Sequence, residues 1–523
     1  MNTAITDCGK HGIKPTETPD GSFLRVGELG SYGVEWSNCS KVTPMGGMAY
    51  FGHFLHANGL FDDLVDGCPL RYTSNNAPGK RRVLGTLVSG ILNGAWRYAH
   101  LSHIQGDRLC ADTLEIKGGF ASEDSVRRGL RKGTRTNWLA WDAWLSKAEL
   151  AAVLPLLSEQ YILDLDTSVK LVYGHQEGSE IGYNPTKPGR PSQALHVGFI
   201  GGLRLLVAMD VQGGKKHAAC HMAPQLWKWV DALPPASRPR LIRGDIGFGN
   251  ERVMAEMEAI GQRYLFKLKQ TPGVKRLIER LWRQGDWQGV GQGFDAVEGE
   301  LRLAGWSAAR RVVVLRQPVK SSLVAQTSRK SRQPELQFLD PSETTKVWEY
   351  AVLVTNADYS LEAMGQLYRD RADCENGFDE LKNQWGWGGY TTQDLERCNL
   401  SARAVALIYN WWSWYVRLAH PKARLEAITS RPLLLAGVAR LTQHAGKSRL
   451  LLTLSHAAGD QIKAMIASIR KGLDHVRASA PQLPKAARWP ALVRYIVDKI
   501  IAAKPKMPRH TALAPPGLAA AMG

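Results

Sequence analysis

Apolar residues in the first third of the chain recur at the spacing of amphipathic helices. Ala49 to Ala57 forms a helical segment that ends before Gly59, a residue type that suits a helix C-terminus. Apolar residues then recur at i, i+4 and i+8 between Val83 and Leu92, which predicts a core-facing helix. Ser122 can cap a further helix that carries four cations: Arg127, Arg128, Arg131 and Lys132. That helix resembles a recognition helix after a helical pair, but taken by itself the segment favours an ordinary amphipathic surface helix.

Short apolar runs replace the helical pattern near Tyr161. Tyr161 to Asp166 predicts a strand that ends in acids, and Leu241 and Ile242 end another strand directly before Arg243-Gly244-Asp245. Three more strands are expected at His196 to Ile200, Leu203 to Met209 and Tyr264 to Lys267. A helix is expected from Glu251 to Ile260, and strands interleaved with helices predict an α/β fold.

The following part of the chain indicates antiparallel β structure. From about Pro272 to Val347 it is rich in Gly, Trp, Arg and Val, with Arg310 to Leu315 as the clearest strand and Ser321 to Pro334 as an exposed loop. A buried strand is expected at Trp348 to Thr355. A strong helix is expected from Leu361 to Trp385.

Composition and charge narrow the class of protein. The 523 residues carry a formal net charge of +19, with 44% hydrophobic and 22% charged residues, the balance of a globular protein. No membrane span is expected, because the most apolar stretch, Ala404 to Val416, is bounded by Arg403 and Arg417. The polar start predicts no secretory signal, and the seven cysteines lack framework spacing, which fits a reducing cytoplasm.

The positive charge is unevenly distributed. Residues Lys463 to Gly523 carry a net charge of +9 and residues Ala77 to Arg135 carry +6, which leaves +4 for the rest of the chain. A protein neutralises the phosphates of a nucleic acid with cations that are gathered on its surface. The two basic regions therefore predict that the partner is a polyanion, usually a nucleic acid.

The helix from Leu361 to Trp385 carries the most informative spacing. At 3.6 residues per turn, four polar side chains fall within one stripe about 60° wide. They are Tyr368, Arg371, Glu375 and Lys382. An exposed ion-pair face is the alternative, although Tyr368 adds nothing to an ion pair and suits phosphate binding.

Two aspartates complete a candidate metal site. Asp166 and Asp245 each follow a short apolar strand, so the sheet fixes their backbones and leaves the carboxylates to face a ligand. With Glu375 they could hold Mg²⁺, which prefers oxygen ligands and keeps positions for water and phosphate. A surface strand end and an ordinary turn are the alternatives, and Asp164 is an alternative first ligand.

These residues carry a resemblance to a known family. Tyr368, Arg371, Glu375 and Lys382 have the spacing Y-x2-R-x3-E-x6-K, which resembles the signature of one branch of the bacterial insertion-sequence transposases of the DDE superfamily. Asp166-Thr167-Ser168 with Tyr173-Gly174-His175-Gln176 is similar to the first-aspartate motif of that branch, and Arg243-Gly244-Asp245 to its second. The resemblance covers about Gly46 to His420.

The resemblance implies a ribonuclease-H-like catalytic domain interrupted by a β-rich insertion, with helical N- and C-terminal regions. It implies that Asp166, Asp245 and Glu375 are catalytic and bind two Mg²⁺ ions, with Mn²⁺ as a substitute. Tyr368, Arg371 and Lys382 would contact DNA phosphates. Lys187 and Arg190 are further candidates for phosphate contact, and Trp282, Trp287 and Trp306 are possible counterparts of a base-displacing Trp, for which core packing is the alternative.

The domain organisation expected from these features has six parts. They are a flexible N-terminus (1–45), a helical DNA-binding domain (46–155), a first catalytic part (156–271), the β-rich insertion (272–347), a second catalytic part (348–425) and a basic helical C-terminal region with a frayed tail (426–523).

The function implied is a DNA transposase in the bacterial cytoplasm, associated with the nucleoid. It would hydrolyse phosphodiesters at transposon ends and transfer the strands into target DNA. Its partners would be terminal inverted repeats and target DNA, bound by a homodimer or a larger assembly. The alternatives are a nuclease of the same fold without strand transfer and a domesticated, transposase-derived DNA-binding protein.

Overall fold

The structure is a computed structural model that describes residues 24–25, 31–32, 39–157, 161–184, 187–216, 230, 233–318, 348–453, 455–479 and 481–503. The expected exposed loop at 321–334 and the expected frayed tail at 505–523 lie outside these ranges. No helix within the described ranges has the length and apolar character that crossing a bilayer requires.

The N-terminal part is mainly helical, as expected. Short strands β1 (Leu24–Arg25) and β2 (Ser31–Tyr32) pair with each other, and β3 (Val42–Thr43) precedes the helices. The α-helices here are α1 (Met48–Ala57), α2 (Leu60–Gly67), α3 (Lys80–Leu92), α4 (Arg108–Asp112), α5 (Glu123–Arg131) and α6 (Arg135–Ala151). Gly59 follows α1 with φ of 70°, and the Ser122 hydroxyl caps α5 by accepting from the Ser125 N–H at 3.2 Å.

A mixed nine-stranded sheet forms the centre of the molecule. Its strands are β4 (Ile162–Leu171), β5 (Ser192–Ile200), β6 (Leu205–Gly213), β7 (Leu241–Gly244), β8 (Tyr264–Lys267), β9 (Gln288–Gly289), β10 (Asp295–Leu301), β11 (Arg310–Pro318) and β12 (Trp348–Thr355). They lie in the order β6-β5-β4-β7-β8-β12-β11-β10-β9. The pairs β4–β7 and β7–β8 are parallel and the other pairs are antiparallel.

Helices flank this sheet, and a hairpin follows them. The remaining elements are α7 (Glu251–Ala259), α8 (Pro272–Gln284), α9 (Leu361–Asp370), α10 (Ala372–Gln384), α11 (Leu395–Ala419), α12 (Ala427–Leu434), β13 (Val438–His444), β14 (Lys447–Thr453), α13 (Gly459–Ser479) and α14 (Lys485–Ala503). Helix α11 is buried along most of its length and packs against β6. The Asn410 amide holds it there by bonding to both the N–H and the C=O of Leu206, at 2.9 and 2.8 Å.

The first catalytic strand is longer than predicted. The sequence suggested that it ends at Asp166, but β4 continues to Leu171 and pairs with β5 along that extension. The predicted strand stops with the apolar run, but Thr167, Ser168 and Lys170 continue the pairing with β5, and Ser168 and Lys170 are buried. Asp166 therefore lies inside the strand and not at its end.

The expected single helix from Leu361 to Trp385 is divided at Arg371. The Arg371 N–H bonds to the Tyr368 carbonyl, and the Cys374 N–H bonds to the Arg371 carbonyl, so the chain makes two tightened turns there. The apolar stripe of the prediction is nevertheless buried. Its members are Leu367, Cys374, Phe378, Leu381 and Trp385.

Two regional expectations also need correction. The segment expected to be β-rich begins with α8, where Val274 and Leu277 are buried one turn apart, and its strands β9 to β11 extend the central sheet beside β12. The C-terminal region, expected to be helical, contains the β13–β14 hairpin, whose strands pair over seven residues each and meet at an Ala-Gly turn with positive φ at both positions.

Candidate functional site

Two adjacent parallel strands bring Asp166 and Asp245 together. Asp164 on β4 pairs with Arg243 on β7, and Leu165 pairs with Gly244. One step further along this register, Asp166 lies beside Asp245, on strands that are about 4.8 Å apart. The proximity of the two aspartates, expected from the sequence, is therefore a consequence of strand pairing.

The Asp166 carboxylate is largely enclosed. It accepts hydrogen bonds from the Thr167 N–H at 2.7 Å and from the Arg371 guanidinium at 2.9 Å. Burial raises the pKa of Asp166 to about 6, and the negative charges of Asp245 and Glu375 also raise it, whereas Arg371 lowers it. The site thus holds negative charge that one arginine compensates only in part.

Arg371 connects Asp166 with Glu375. Its guanidinium lies 2.9 Å from Asp166 and 3.5 Å from Glu375, which is one helical turn further along on α10. The Glu375 side chain is 68% exposed, whereas those of Asp166 and Arg371 are 16% and 14% exposed. Glu375 is therefore the carboxylate that is free to change rotamer.

Asp245 is fixed by the turn that follows β7. Its carboxylate accepts the Gly247 N–H at 2.9 Å, and the Asn250 side chain then caps α7 by accepting the Val253 N–H. This local turn keeps the carboxylate at the end of the strand, beside Asp166.

Asp164 has a different role from that of Asp166. Arg243 donates to both of its oxygens, at 2.6 and 2.7 Å, and both side chains are 2% exposed. Arg243 also donates to the Leu367 carbonyl on α9. The alternative assignment of Asp164 as a metal ligand is therefore disfavoured, because its oxygens already serve a buried ion pair that joins β4, β7 and α9.

A cleft of about 410 Å³ opens beside these carboxylates. Tyr368, Arg371, Glu375 and Lys267 are among its lining residues. The Lys267 ammonium lies 5.8 Å from the centre of the Tyr368 ring. Sequence reasoning missed Lys267, although a cation as the last residue of the strand next to β7 is a recognisable signal.

Lys382, on α10, interacts electrostatically with Asp166. Partial burial lowers the pKa of Lys382, and the charge of Asp166 opposes that shift. Its ammonium lies 6.0 Å from the centre of the Phe378 ring. Three residues of the polar stripe, Tyr368, Arg371 and Glu375, line the cleft despite the division at Arg371, whereas Lys382 is not part of its lining.

The carboxylates are close but not convergent. Among the described residues, no three His, Cys, Asp or Glu side chains are arranged tightly enough to hold a metal ion as they stand. The donor set still suits a hard divalent cation, because it consists of carboxylate oxygens, the ligands that such cations prefer.

The other candidates lie outside this cluster. Lys187 and Arg190 sit in the loop between β4 and β5, where both cations lie 5.4 Å from the centre of the exposed Tyr173 ring. Lys187 also donates to the Tyr173 hydroxyl at 2.9 Å.

The three tryptophans have different environments. Trp306 is buried, and Trp287 is half-buried with the Arg316 guanidinium 4.0 Å from its ring centre. The prediction that Trp282 packs in the core is wrong, because this side chain is 57% exposed on α8.

The fold and the site define an α/β protein whose central mixed sheet carries acidic side chains bordered by cations. Residues 79–473 match the model of the family described as transposase DDE domain group 1, and the chain belongs to that family. It is a DNA transposase, an enzyme that cleaves DNA strands and transfers them. Enzymes of this family generally use divalent metal ions.

Comparisons with individual proteins are less informative. No curated protein matches the chain. A cryo-EM structure of the piggyBac transposase synaptic complex with hairpin DNA is similar at 12% identity and a TM-score of 0.36, over 91% of this chain and 89% of that chain.

Proposed function

We propose that Asp166, Asp245 and Glu375 are the catalytic carboxylates of this transposase and that they bind two Mg²⁺ ions. The observation that carries the proposal is the register of β4 and β7, which sets Asp166 beside Asp245, together with the Arg371 bridge to Glu375. The raised pKa of Asp166 supports it, because burial, and to a lesser extent the charges of Asp245 and Glu375, disfavour an ionised carboxylate that has no cation beside it.

We further propose that the catalytic domain is ribonuclease-H-like. The order β6-β5-β4-β7-β8 supports this, because three antiparallel neighbours are followed by two parallel ones, with the aspartates at the centre. Strands β9 to β11 and α8 would correspond to the insertion, which here continues the sheet. The spacing of Tyr368, Arg371, Glu375 and Lys382 supports the bacterial insertion-sequence branch.

The chain's own residues would position the DNA strand. Tyr368, Arg371 and Lys382 would hold phosphates next to the scissile bond, and Lys267 would add a cation beside Tyr368 in the lining of the cleft. When bound, paired metal ions activate the attacking oxygen and stabilise the leaving oxygen of a phosphodiester. Arg371 would exchange its bond to Glu375 for one to a phosphate, which frees Glu375 to turn towards the aspartates.

The remaining domains would bind the DNA ends. The helical domain at 46–155 would recognise the terminal inverted repeats, and the basic region at 426–523 would grip DNA or pair subunits. Synapsis of two ends requires at least a dimer. Lys187 and Arg190 remain candidates for contacts with DNA phosphates.

The proposal is tested by end cleavage with purified protein, Mg²⁺ and a duplex that carries the ends of its own element. Asp166→Ala, Asp245→Ala and Glu375→Ala should each abolish cleavage and leave DNA binding within about threefold. Asp379→Ala serves as the control, because this acid is exposed on the same helix as Glu375. Full cleavage by any of the three variants would remove that residue from the site.

A further inference from the structure

The hairpin β13–β14 forms a projecting ribbon, residues 438–453. Seven residue pairs join its strands, from Val438 with Thr453 to His444 with Lys447, which makes it about 24 Å long. The turn consists of Ala445 and Gly446, with φ values of 50° and 71°. Positive φ at both positions is typical of a type I′ turn, whose twist matches that of a two-stranded ribbon.

Only the base of the ribbon is fixed to the body. Among the described residues, β3 pairs with Ala439 and Arg440, the Leu441 N–H donates to the Lys41 carbonyl at 2.8 Å, and Met45 makes a single bridge to Gly437. Beyond this base the ribbon is two-stranded, and every residue from 443 to 449 is exposed. The distal half is thus available to a partner.

The cations of the ribbon share one face. Cross-strand pairing sets Arg440 opposite Leu451, Thr442 opposite Arg449, and His444 opposite Lys447, and paired residues point to the same side. Arg440, Lys447 and Arg449 therefore lie on one side, together with His444. The opposite face carries Leu441, Leu450 and Leu452, which are partly buried.

This cationic face has no internal compensation. Residues 438–453 contain no Asp or Glu. Within the described ranges, Arg440, Lys447 and Arg449 have no carboxylate within ion-pair distance. A face of this kind is complementary to a polyanion, because unpaired cations gathered on one surface displace the counterions of a phosphate backbone.

We propose that the ribbon binds duplex DNA, with its distal half in the major groove and its three cations at phosphates along the groove walls. The major groove of B-DNA admits a two-stranded β-ribbon, whereas the minor groove is about half as wide. The Thr442 hydroxyl, which donates to the Arg449 carbonyl at 3.2 Å, lies on the same face. The inference rests on the chain's being a DNA transposase, and it is independent of the assignment of the carboxylates.

A second copy of the chain is the competing occupant. The outer edge of β14 has no neighbouring strand among the described residues, and edges of this kind can pair between molecules. Charge argues against it, because two β14 strands side by side would bring Lys447 and Arg449 of both copies close together.

The test measures binding of the full-length protein to a random-sequence 40-base-pair duplex over a range of salt concentrations. Arg440→Gln, Lys447→Gln and Arg449→Gln are combined in one variant. The control combines Lys275→Gln, Arg276→Gln and Arg283→Gln, which remove the same charge from an exposed face of α8. Thermal unfolding and the oligomeric state of both variants are measured in parallel.

We expect the ribbon variant to bind roughly 30- to 100-fold more weakly at 0.15 M salt and to lose about 2 to 3 from the slope of log Kd against log salt, with a much smaller change in the control. Protection of guanine N7 from methylation, a major-groove signal, should disappear with it. Equal losses of DNA affinity in both variants would mean that the loss reflects net charge and not the ribbon. Unchanged DNA binding together with loss of a dimer would favour a second copy of the chain as the occupant. Either result overturns the proposal.

The two proposals fail separately. If the ribbon variant binds DNA normally while the carboxylate variants lose cleavage, only the ribbon is wrong. If the ribbon variant binds weakly while the carboxylate variants still cleave, only the active-site assignment is wrong.

Discussion

At the scale of single residues, two arginines form ion pairs with different acids of the site. Arg243 neutralises Asp164 in the core, whereas Arg371 holds Asp166 at the edge of the cleft and reaches towards Glu375. The sequence predicted Asp166, Asp245, Glu375 and the helix face opposite them from spacing and resemblance. It could not predict that Arg243, placed directly after a strand as part of the second-aspartate motif, pairs with Asp164, because that contact depends on strand register.

The raised pKa of Asp166 predicts a stability cost at neutral pH. Its folded pKa of about 6 lies above the ordinary value of 3.8, so the folded state binds the proton more tightly. Stability should therefore fall as pH rises from about 4 to 6. In metal-free protein at pH 7.5, Asp166→Asn should raise the free energy of unfolding by about 1–2 kcal/mol, with the gain vanishing near pH 4. Urea denaturation at both pH values measures this, and a gain that persists at pH 4 would contradict the assignment.

The buried pair of Arg243 and Asp164 predicts a strongly coupled double-mutant cycle. Arg243→Met alone should cost about 3–5 kcal/mol, because it leaves a buried carboxylate without its partner. Adding Asp164→Leu should restore most of that loss, since neither charge then remains in the core. Urea unfolding of the two single variants and the double variant gives the coupling energy. Additive losses would mean that the pair is not the structural connection described here.

At the scale of elements, local patterning predicted the helices and strands better than their ends. The strand Tyr264–Lys267 lies where its short apolar run predicted it, and α5 begins at its predicted cap. The break at Arg371 was not predictable, because neither Gly nor Pro marks it. The hairpin at 438–453 was missed because it is short and lies between strongly helical segments.

The ribbon turn predicts a local gain in stability from one substitution. Ala445 adopts φ of 50°, which costs an alanine more than an asparagine. Ala445→Asn should slow hydrogen exchange of the ribbon amides by a factor of about 2 to 5, corresponding to about 0.5–1 kcal/mol. Gly446→Ala, at φ of 71°, is the opposite control and should speed exchange. No change in either variant would contradict the type I′ turn.

At the scale of the whole molecule, net positive charge is densest in two regions that flank the carboxylates in sequence. Residues 77–135 carry +6 and residues 463–523 carry +9, whereas the much longer middle, residues 136–462, carries only +7, and three cations of the ribbon lie within it. The family match extends from residue 79 to 473, beyond the His420 limit expected from the motifs, and so includes the ribbon. The strand order and the continuation of the sheet by β9 to β11 depend on long-range pairing, which one sequence does not reveal.

The central claim is that Asp166, Asp245 and Glu375 hold the metal ions used for DNA cleavage. It is tested most directly by Asp166→Cys, Asp245→Cys and Glu375→Cys, because a thiolate binds Mn²⁺ better than Mg²⁺. End cleavage is measured with each metal, and the alanine variants serve as controls that no metal should rescue. We predict inactivity in Mg²⁺ for all three cysteine variants and partial recovery in Mn²⁺ for at least the two aspartate positions. The claim would be contradicted if any cysteine variant were as active in Mg²⁺ as the wild-type protein. It would also be contradicted if Mn²⁺ restored no activity at either aspartate position.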